Sequence, residues 1–294
     1  MSEPDAITSL TNPRVKRIVR LRKARQRRRE GVLLAEGWRE VSRALAAGLE
    51  LIEWFACREL VDARAPDPPD PPERADWPGG EPTWVSAAML AKMAYHDKPE
   101  GVLAVFIAPT WSLDQWPATR SDSGGGGGGG FFLVAVGTEK PGNLGAMVRT
   151  AAVAGCDGVL AVGPAVDVFN PNAIRNSTGA VFALPTVVVE DPAEAVAWLR
   201  SRGVTIAAAL ADGGADCFRQ DWAEPGGSVA VVVGPEHAGL DDTWRDAADV
   251  KLTIPQATSG GAGVTDSLNA ANAAAVLLFE AVRRRTVLGS TKDP

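Results

Sequence analysis

The sequence predicts an α/β fold in two parts, and three observations carry that expectation. Short apolar runs alternate with helical patterns along almost the whole chain. The run FFLVAV at 131–136 is apolar without a break, the pattern of a strand buried on both faces of a parallel sheet. Between the two series of elements lies a Pro/Ser/Asp stretch ending in seven glycines at 124–130, which reads as a flexible linker. A chain of 294 residues is also long for one core. The expected boundaries are a small N-terminal α/β domain at 1–108, a linker at 109–130, and a parallel-sheet domain at 131–294.

The first elements follow from local pattern. Residues 7–29 read as a helix beginning after Pro13, because proline is tolerated in a first turn. Val15, Ile18, Val19 and the stem of Arg22 would face the body of the protein. Arg14, Lys16, Arg17, Arg20, Lys23, Arg25, Arg27, Arg28 and Arg29 would face outward. Residues 14–29 hold ten basic side chains and no acidic one. A run of one sign repels itself, a cost better tolerated when the partner is a polyanion, so this face is the expected nucleic-acid contact. A strand at 32–35, a helix at 36–47 ended by Gly48 and a strand at 50–56 come next. A proline-rich surface loop at 62–82 leads to a strand at 83–85, a helix capped by Ser86 through Met93, and a strand at 102–107.

In the second part, strand 131–136 runs through loop 137–145 into helix 146–154. Strand 158–162, the segment AIRNSTGAVF at 173–182, strand 186–189, helix 192–202 and strand 204–209 follow. Strand 229–233 leads into loop 234–240, and strand 250–254 is closed by Pro255. After a Gly/Ser/Thr loop, Asp266 or Ser267 can cap a last helix. Leu268, Ala271, Ala275, Leu278 and Val282 would form its apolar face, and Arg283 to Arg285 would complement the dipole at its end.

Composition excludes several classes. No apolar run reaches the roughly 18 residues of a bilayer span, and the first ten residues lack the pattern of a signal peptide. Cys57, Cys156 and Cys217 are scattered, which argues for a reducing cytoplasm and against a metal site. The net charge of −6 is unevenly spread: residues 1–123 hold 18 basic and 18 acidic side chains, and residues 124–294 hold 12 and 18.

Three glycine-bearing loops leave strand ends in the second part, at 137–145, 234–240 and 254–267. Ligands of open parallel sheets bind at such ends. None of the loops is GxGxxG or GxxxxGK[ST], so a dinucleotide-dependent oxidoreductase and a P-loop ATPase both lack their phosphate signatures.

The combination of NLGAMVRTA at 143–151, GPEHAGL at 234–240 and IP…SLNA at 254–270 resembles the three motifs of the SpoU (TrmH-like) branch of the SPOUT RNA methyltransferases. Segment 173–182 also looks like the family's pattern, and residues 7–107 look like the small RNA-binding domain that often precedes its catalytic domain. The resemblance implies S-adenosylmethionine as cofactor, methyl transfer to a ribose 2′-hydroxyl of RNA (ribosomal RNA ahead of tRNA), a trefoil knot and a homodimer, with no metal and no membrane. It assigns Asn143, Arg149, Glu236, Ser267 and Asn269 to active-site positions. Gly234, Glu236, Ile254, Leu268, Asn269 and Thr138 fall on the cofactor side. Two departures stand out: Pro235 occupies a place where Asn is common, and loop 256–265 is long. Arginine is hard to deprotonate, so Arg149 reads better as a clamp on the phosphate beside the target ribose than as a base. His237 reads as incidental. Arg175 and Ser177 are open to two readings, RNA phosphate binding or structuring of their own loop. The competing reading from another class is a catalytically inactive RNA-binding protein on the same fold.

Overall fold

The computed structural model describes residues 6–63, 80–116, 129–163, 167–256 and 268–287. Packing divides the chain into two compact units, Met1–Thr110 with Phe169–Ala183, and Trp111–Val168 with Leu184–Pro294.

The first unit is built on a four-stranded sheet of β1 (Val32–Glu36), β2 (Leu51–Ala56), β3 (Thr83–Trp84) and β4 (Val102–Ile107), in the order β1-β4-β2-β3. β4 runs antiparallel to both neighbours, and β3 runs parallel to β2. Helices α1 (Pro13–Leu21), α2 (Ala24–Glu30), α3 (Trp38–Ala46), α4 (Arg58–Asp62) and α5 (Ala87–Met93) complete it. Asn12 caps α1 by accepting from the Arg14 amide at 2.9 Å. Val15, Ile18 and Leu21 of α1 join Phe55, Leu90 and Met93 in the core.

The basic segment differs from expectation in one important way. It is two helices rather than one, broken at Arg22 and Lys23, and Arg27 does not face outward. Arg27 is 2% exposed, and its Nη1 donates to the carbonyls of Leu21 (2.7 Å) and Arg22 (2.8 Å). These are unsatisfied groups at the end of α1, where a cation also complements the dipole. Arg14 pairs with Glu53 at 3.1 Å, and Arg17 pairs with Glu30 at 2.8 Å and with Glu53. Arg14, Lys16, Arg20, Arg22, Lys23, Arg25, Arg28 and Arg29 are the exposed members.

The second unit is a seven-stranded, wholly parallel sheet. In chain order its elements are β5 (Phe131–Val136), α6 (Pro141–Ala154), β6 (Gly158–Val162), β7 (Thr186–Val189), α8 (Pro192–Ser201), β8 (Thr205–Ala209), β9 (Ala215–Asp216), β10 (Val229–Val233), α9 (Asp242–Ala247), β11 (Val250–Thr253) and α10 (Ala270–Val287); the short helix α7 (Pro171–Ser177) lies between β6 and β7. The strand order is β7-β6-β5-β10-β8-β11-β9. The chain moves outward from β5 through β6 to β7, then crosses to the other side, so the order reverses at β5 and β10. That reversal opens a crevice at the carboxyl ends of the strands.

Three expectations about this unit are corrected. Residues 111–116 of the supposed linker are part of the core: Leu113 and Trp116 are buried, Trp116 stacks edge-on against Phe132 at 5.6 Å, and Trp198 donates to the Leu113 carbonyl at 3.0 Å. A Cβ on Gly158 would lie 2.3 Å from the Trp116 ring, so that ring needs the glycine. The rest of the stretch, 117–128, lies outside the described residues. Segment 173–182 belongs with the first unit, because α7 packs on β1, Arg175 pairs with Glu100 at 3.3 Å, and Arg43 donates to the Thr178 carbonyl. Finally, the buried face of α10 includes Ala270, Ala274, Leu277, Leu278 and Ala281; of the predicted stripe Leu278 is buried, Leu268 is exposed, and Ala271, Ala275 and Val282 are only partly buried. The helix packs on both α6 and β10, and that double contact selects a face of small residues.

Among the described residues, no helix is long and apolar enough to cross a membrane. The role of Arg27 leads to a stability prediction. Arg27→Ala leaves two carbonyls without their donor and should cost about 1–3 kcal/mol in denaturant unfolding. Arg28→Ala, at an exposed position, should stay within about 0.5 kcal/mol.

Candidate active site

The carboxylate of Glu236 is the centre of the site. It stands in the loop after β10, and groups from the other two loops converge on it. Asn143 Nδ2, in the first turn of α6 after β5, donates to Oε1 at 2.8 Å. Asn269 Nδ2, just after the loop that follows β11, donates to the same oxygen at 2.5 Å and lies 3.5 Å from Asn143 Oδ1. The Ala270 amide adds a backbone hydrogen bond. Lys140 Nζ approaches Oε2 at 3.4 Å. Asn269 also caps α10, accepting from the Ala271 amide at 2.9 Å. The helix is therefore capped by Asn269, while Asp266 and Ser267, the caps expected from sequence, lie outside the described residues.

Partial burial alone would push the Glu236 carboxyl up. The hydrogen bonds from Lys140, the Ala270 amide and Asn143, with the Lys140 charge, outweigh it and leave the group below its ordinary range. The carboxylate is thus ionised near neutrality and can hold its donors. The sign follows from linkage: this contribution is present above the ordinary carboxyl range and is lost as pH falls through the lowered value.

Two adjoining cavities flank this centre. One, of about 220 Å³, lies at the ends of β8, β10 and β11. Its walls include Leu210, Leu240, Leu252, Ile254 and Leu268, with Gly234 and Glu236 at its edge. Gly234 has no room for a side chain, since a Cβ would sit 2.9 Å from the Gly239 carbonyl carbon and the Leu240 nitrogen. The other, of about 340 Å³, is lined by Thr138, Lys140, Asn143, Glu236 and His237. His237 and the 234–236 turn border both.

The sequence-predicted residues are not all brought together. Asn143, Glu236 and Asn269 form one network; Gly234, Ile254 and Leu268 line the first cavity; Thr138 lines the second instead. Arg149 lies on the exposed side of α6, lines neither cavity, and makes no hydrogen bond or ion pair among the described residues. Ser177 is fully buried, donating to the Ile174 carbonyl at 2.8 Å and accepting from the Val181 amide, so its hydroxyl structures its own turn. Arg175 is half exposed beside Glu100. Sequence reasoning missed Lys140, the Ala270 amide and the wall at Ala209, Leu210 and Ala211. The cation directly before Pro141, at the mouth of the first loop, was the available signal for Lys140.

Among the described residues there is no group of three His, Cys, Asp or Glu side chains that could hold a metal ion.

With this geometry in view, comparison with known proteins defines the class. The model of the SpoU rRNA Methylase family matches residues 130–279, half of the chain, and that of an MRM3-like substrate binding domain matches residues 12–104. The chain belongs to the SpoU rRNA Methylase family. It is 36% identical over 195 residues to the 23S rRNA (uridine(2479)-2′-O)-methyltransferase of Streptomyces viridochromogenes, a match covering 65% of this chain and 62% of that relative. A crystal structure described as an RNA 2′-O ribose methyltransferase superposes with a TM-score of 0.78 at 35% identity, covering 96% of this chain and 100% of that one. The SpoU methyltransferase AviRb from Streptomyces viridochromogenes, in complex with AdoMet, gives a TM-score of 0.75 at 28% identity, covering 94% and 99%.

If Glu236 fastens the three loops, Glu236→Ala should speed hydrogen exchange at the Ala270 amide by about tenfold or more. Glu236→Gln retains an acceptor and should show a smaller change. Equal protection in both variants and wild type would remove Glu236 from the centre of the site.

Proposed function

We propose that this protein is an S-adenosylmethionine-dependent methyltransferase acting on a ribose 2′-hydroxyl of structured RNA, with ribosomal RNA as the preferred substrate class over tRNA. The observation that carries the reading is the single carboxylate, Glu236, that gathers the three family motifs at the reversal point of the sheet. The names of the related proteins support the same activity.

The residues suit the cofactor. The apolar walls of the smaller cavity can receive a purine ring, and the close-packed turn at Gly234 leaves backbone polar groups at the strand ends to meet its edges. S-adenosylmethionine, when bound, supplies a methyl group made electrophilic by the sulfonium. The protein then has to orient the 2′-oxygen and manage its proton. Gly234, Ile254 and Leu268 hold the cofactor side, and Glu236 fixes Asn143 and Asn269 so that their remaining polar atoms face the ribose. Thr138 lies on the substrate side of the same turn. Ser267, next to Asn269, takes part by family resemblance.

Arg149 needs a different delivery. Six residues beyond Asn143, it is about 9 Å further along α6 and on the exposed side of the helix. A homodimer through α6 and α10 places the Arg149 of one subunit over the site of the other, where it clamps phosphate charge. Val153, 70% exposed on α6, and Phe279, 48% exposed on α10, support an interface there. The trefoil knot belongs to the same reading: β10 is inserted between β5 and β8, and the chain returns from β11 to α10 against α6 and β10. Lys16, Arg20, Lys23, Arg28 and Arg29 supply the long-range attraction for RNA. The intact network around Glu236 favours an active enzyme over an inactive RNA-binding relative, and the lack of phosphate-loop signatures disfavours a nucleotide-dependent oxidoreductase or ATPase. Three buried free thiols suit the reducing cytoplasm.

Calorimetry with S-adenosylmethionine in the presence of chelator should give a saturable heat, and labelled methyl transferred to 23S rRNA should survive as an alkali-resistant 2′-O-methyl dinucleotide. Absence of binding, or methyl found on a base, would overturn the activity. A mixing experiment tests the dimer. Arg149→Ala and Glu236→Ala subunits, each inactive alone, should recover about a quarter of wild-type activity after exchange, because half of the dimers then carry one complete site. No recovery in a mixture shown to exchange subunits would place Arg149 outside the partner's site.

A further inference from the structure

We propose that Lys140 is a phosphate-docking residue of the site, holding the phosphodiester next to the target ribose so that the 2′-oxygen is presented at the edge of Glu236. The inference rests on the RNA methyltransferase reading and extends it to a residue outside the family motifs quoted above.

An RNA strand entering the larger cavity brings a phosphodiester on each side of the ribose. That cavity is bordered by two carboxylates, Glu139 and Glu236, and the unit around it holds more acidic than basic residues. A phosphodiester is repelled there unless a cation meets it. Arg245 lines the smaller cavity, but its Nε is committed to the Leu240 carbonyl at 2.9 Å. Lys140 is the other Lys or Arg side chain lining either cavity, and it is 71% exposed.

Its attachment is also loose. Lys140 reaches Glu236 at 3.4 Å, whereas Asn143 and Asn269 reach the same carboxylate at 2.8 and 2.5 Å and the Ala270 amide adds a fourth donor. Glu236 keeps its other three donors if Lys140 turns away. An ammonium has three donors and a flexible stem, so it can meet a phosphate oxygen while one N–H still faces the carboxylate. Placement supplies a second attraction. Lys140 occupies the N-cap position of α6, a helix of 14 residues, and the positive end of that dipole opens on the same cavity. Asn143 is three residues on, in the first turn, so the phosphate contact and the ribose contact are about one helical turn apart.

The test compares Lys140→Ala, Lys140→Glu and Lys140→Arg in the full-length protein. The probe is an in vitro transcribed 23S rRNA, with binding followed at several salt concentrations and single-turnover methylation followed against RNA concentration. Lys140→Ala should raise the RNA concentration for half-maximal rate about three- to tenfold and flatten the slope of log affinity against log salt by about 0.7–0.9. Lys140→Glu should weaken binding further, and Lys140→Arg should restore it. The rate at saturating RNA and the affinity for S-adenosylmethionine should stay within about threefold of wild type. An unchanged salt slope in Lys140→Ala overturns the proposal. So does a loss confined to cofactor affinity or to the saturated rate, which would make Lys140 only a support for Glu236. Wild-type protein that binds the transcript but transfers no methyl would refute the reaction assigned above, and the salt slope would still decide the role of Lys140.

Discussion

One carboxylate holds the catalytic unit's three working loops together. Glu236, which follows β10, accepts from Asn143, which follows β5, and from Asn269 and the Ala270 amide, which follow β11. Such convergence requires that β5, β10 and β11 all point the same way, which a wholly parallel sheet guarantees. It also requires that the strand order reverse near the site, since otherwise the crossing helices would cover the crevice. The fold brings the ends of the loops together, and the acceptor oxygens of one side chain then tie them.

The two cavities differ in the side chains that line them. The smaller is walled by aliphatic side chains from three strand ends, and the larger is rimmed by Thr138, Lys140, Asn143 and Glu236. The turn 234–238 is the shared wall, so one short piece of backbone separates the two compartments. Gly234 makes the wall thin, because any Cβ there would collide with the far side of the same loop. A group held on one side can meet a group held on the other across little intervening matter, which is what transfer between two bound molecules requires.

Most of the sheet was legible from apolar runs, because a strand buried on both faces leaves an uninterrupted signature such as FFLVAV. The loops were legible from glycines at strand ends, and Asn143, Glu236 and Asn269 from their place in motifs. What escaped prediction depends on contacts distant in sequence. Arg27 reads as one more outward cation until the chain breaks at Arg22 and the carbonyls of Leu21 and Arg22 need a donor. Trp116 reads as linker until Gly158 provides a flat seat for its ring. Segment 169–183 reads as part of the catalytic unit because it lies between β6 and β7, but Glu100 and Arg43 hold it in the other unit. The phase of α10 was off because two neighbours, not one, select its buried face. Local pattern cannot carry such information, as each case turns on a partner more than a few residues away or on a helix whose surroundings are set by the whole fold.

The far end of α10 is fastened as firmly as the end at the site. Arg285 donates to the carbonyls of Gly129 at 2.6 Å and Gly227 at 2.9 Å and lies over the Phe131 ring, while Arg284 pairs with Glu280 at 2.7 Å and Asp221 at 2.8 Å. Gly129, Phe131 and Gly227 sit where β5 and β10 begin, the end of the sheet opposite the loops that meet at Glu236. Eighteen residues of helix span about 27 Å, so α10 runs from one edge of the sheet to the other and its last turn lies beside the first residues of β5. An affinity handle or fused reporter attached beyond Val287 would begin its path at the end of the sheet opposite the loops that meet at Glu236.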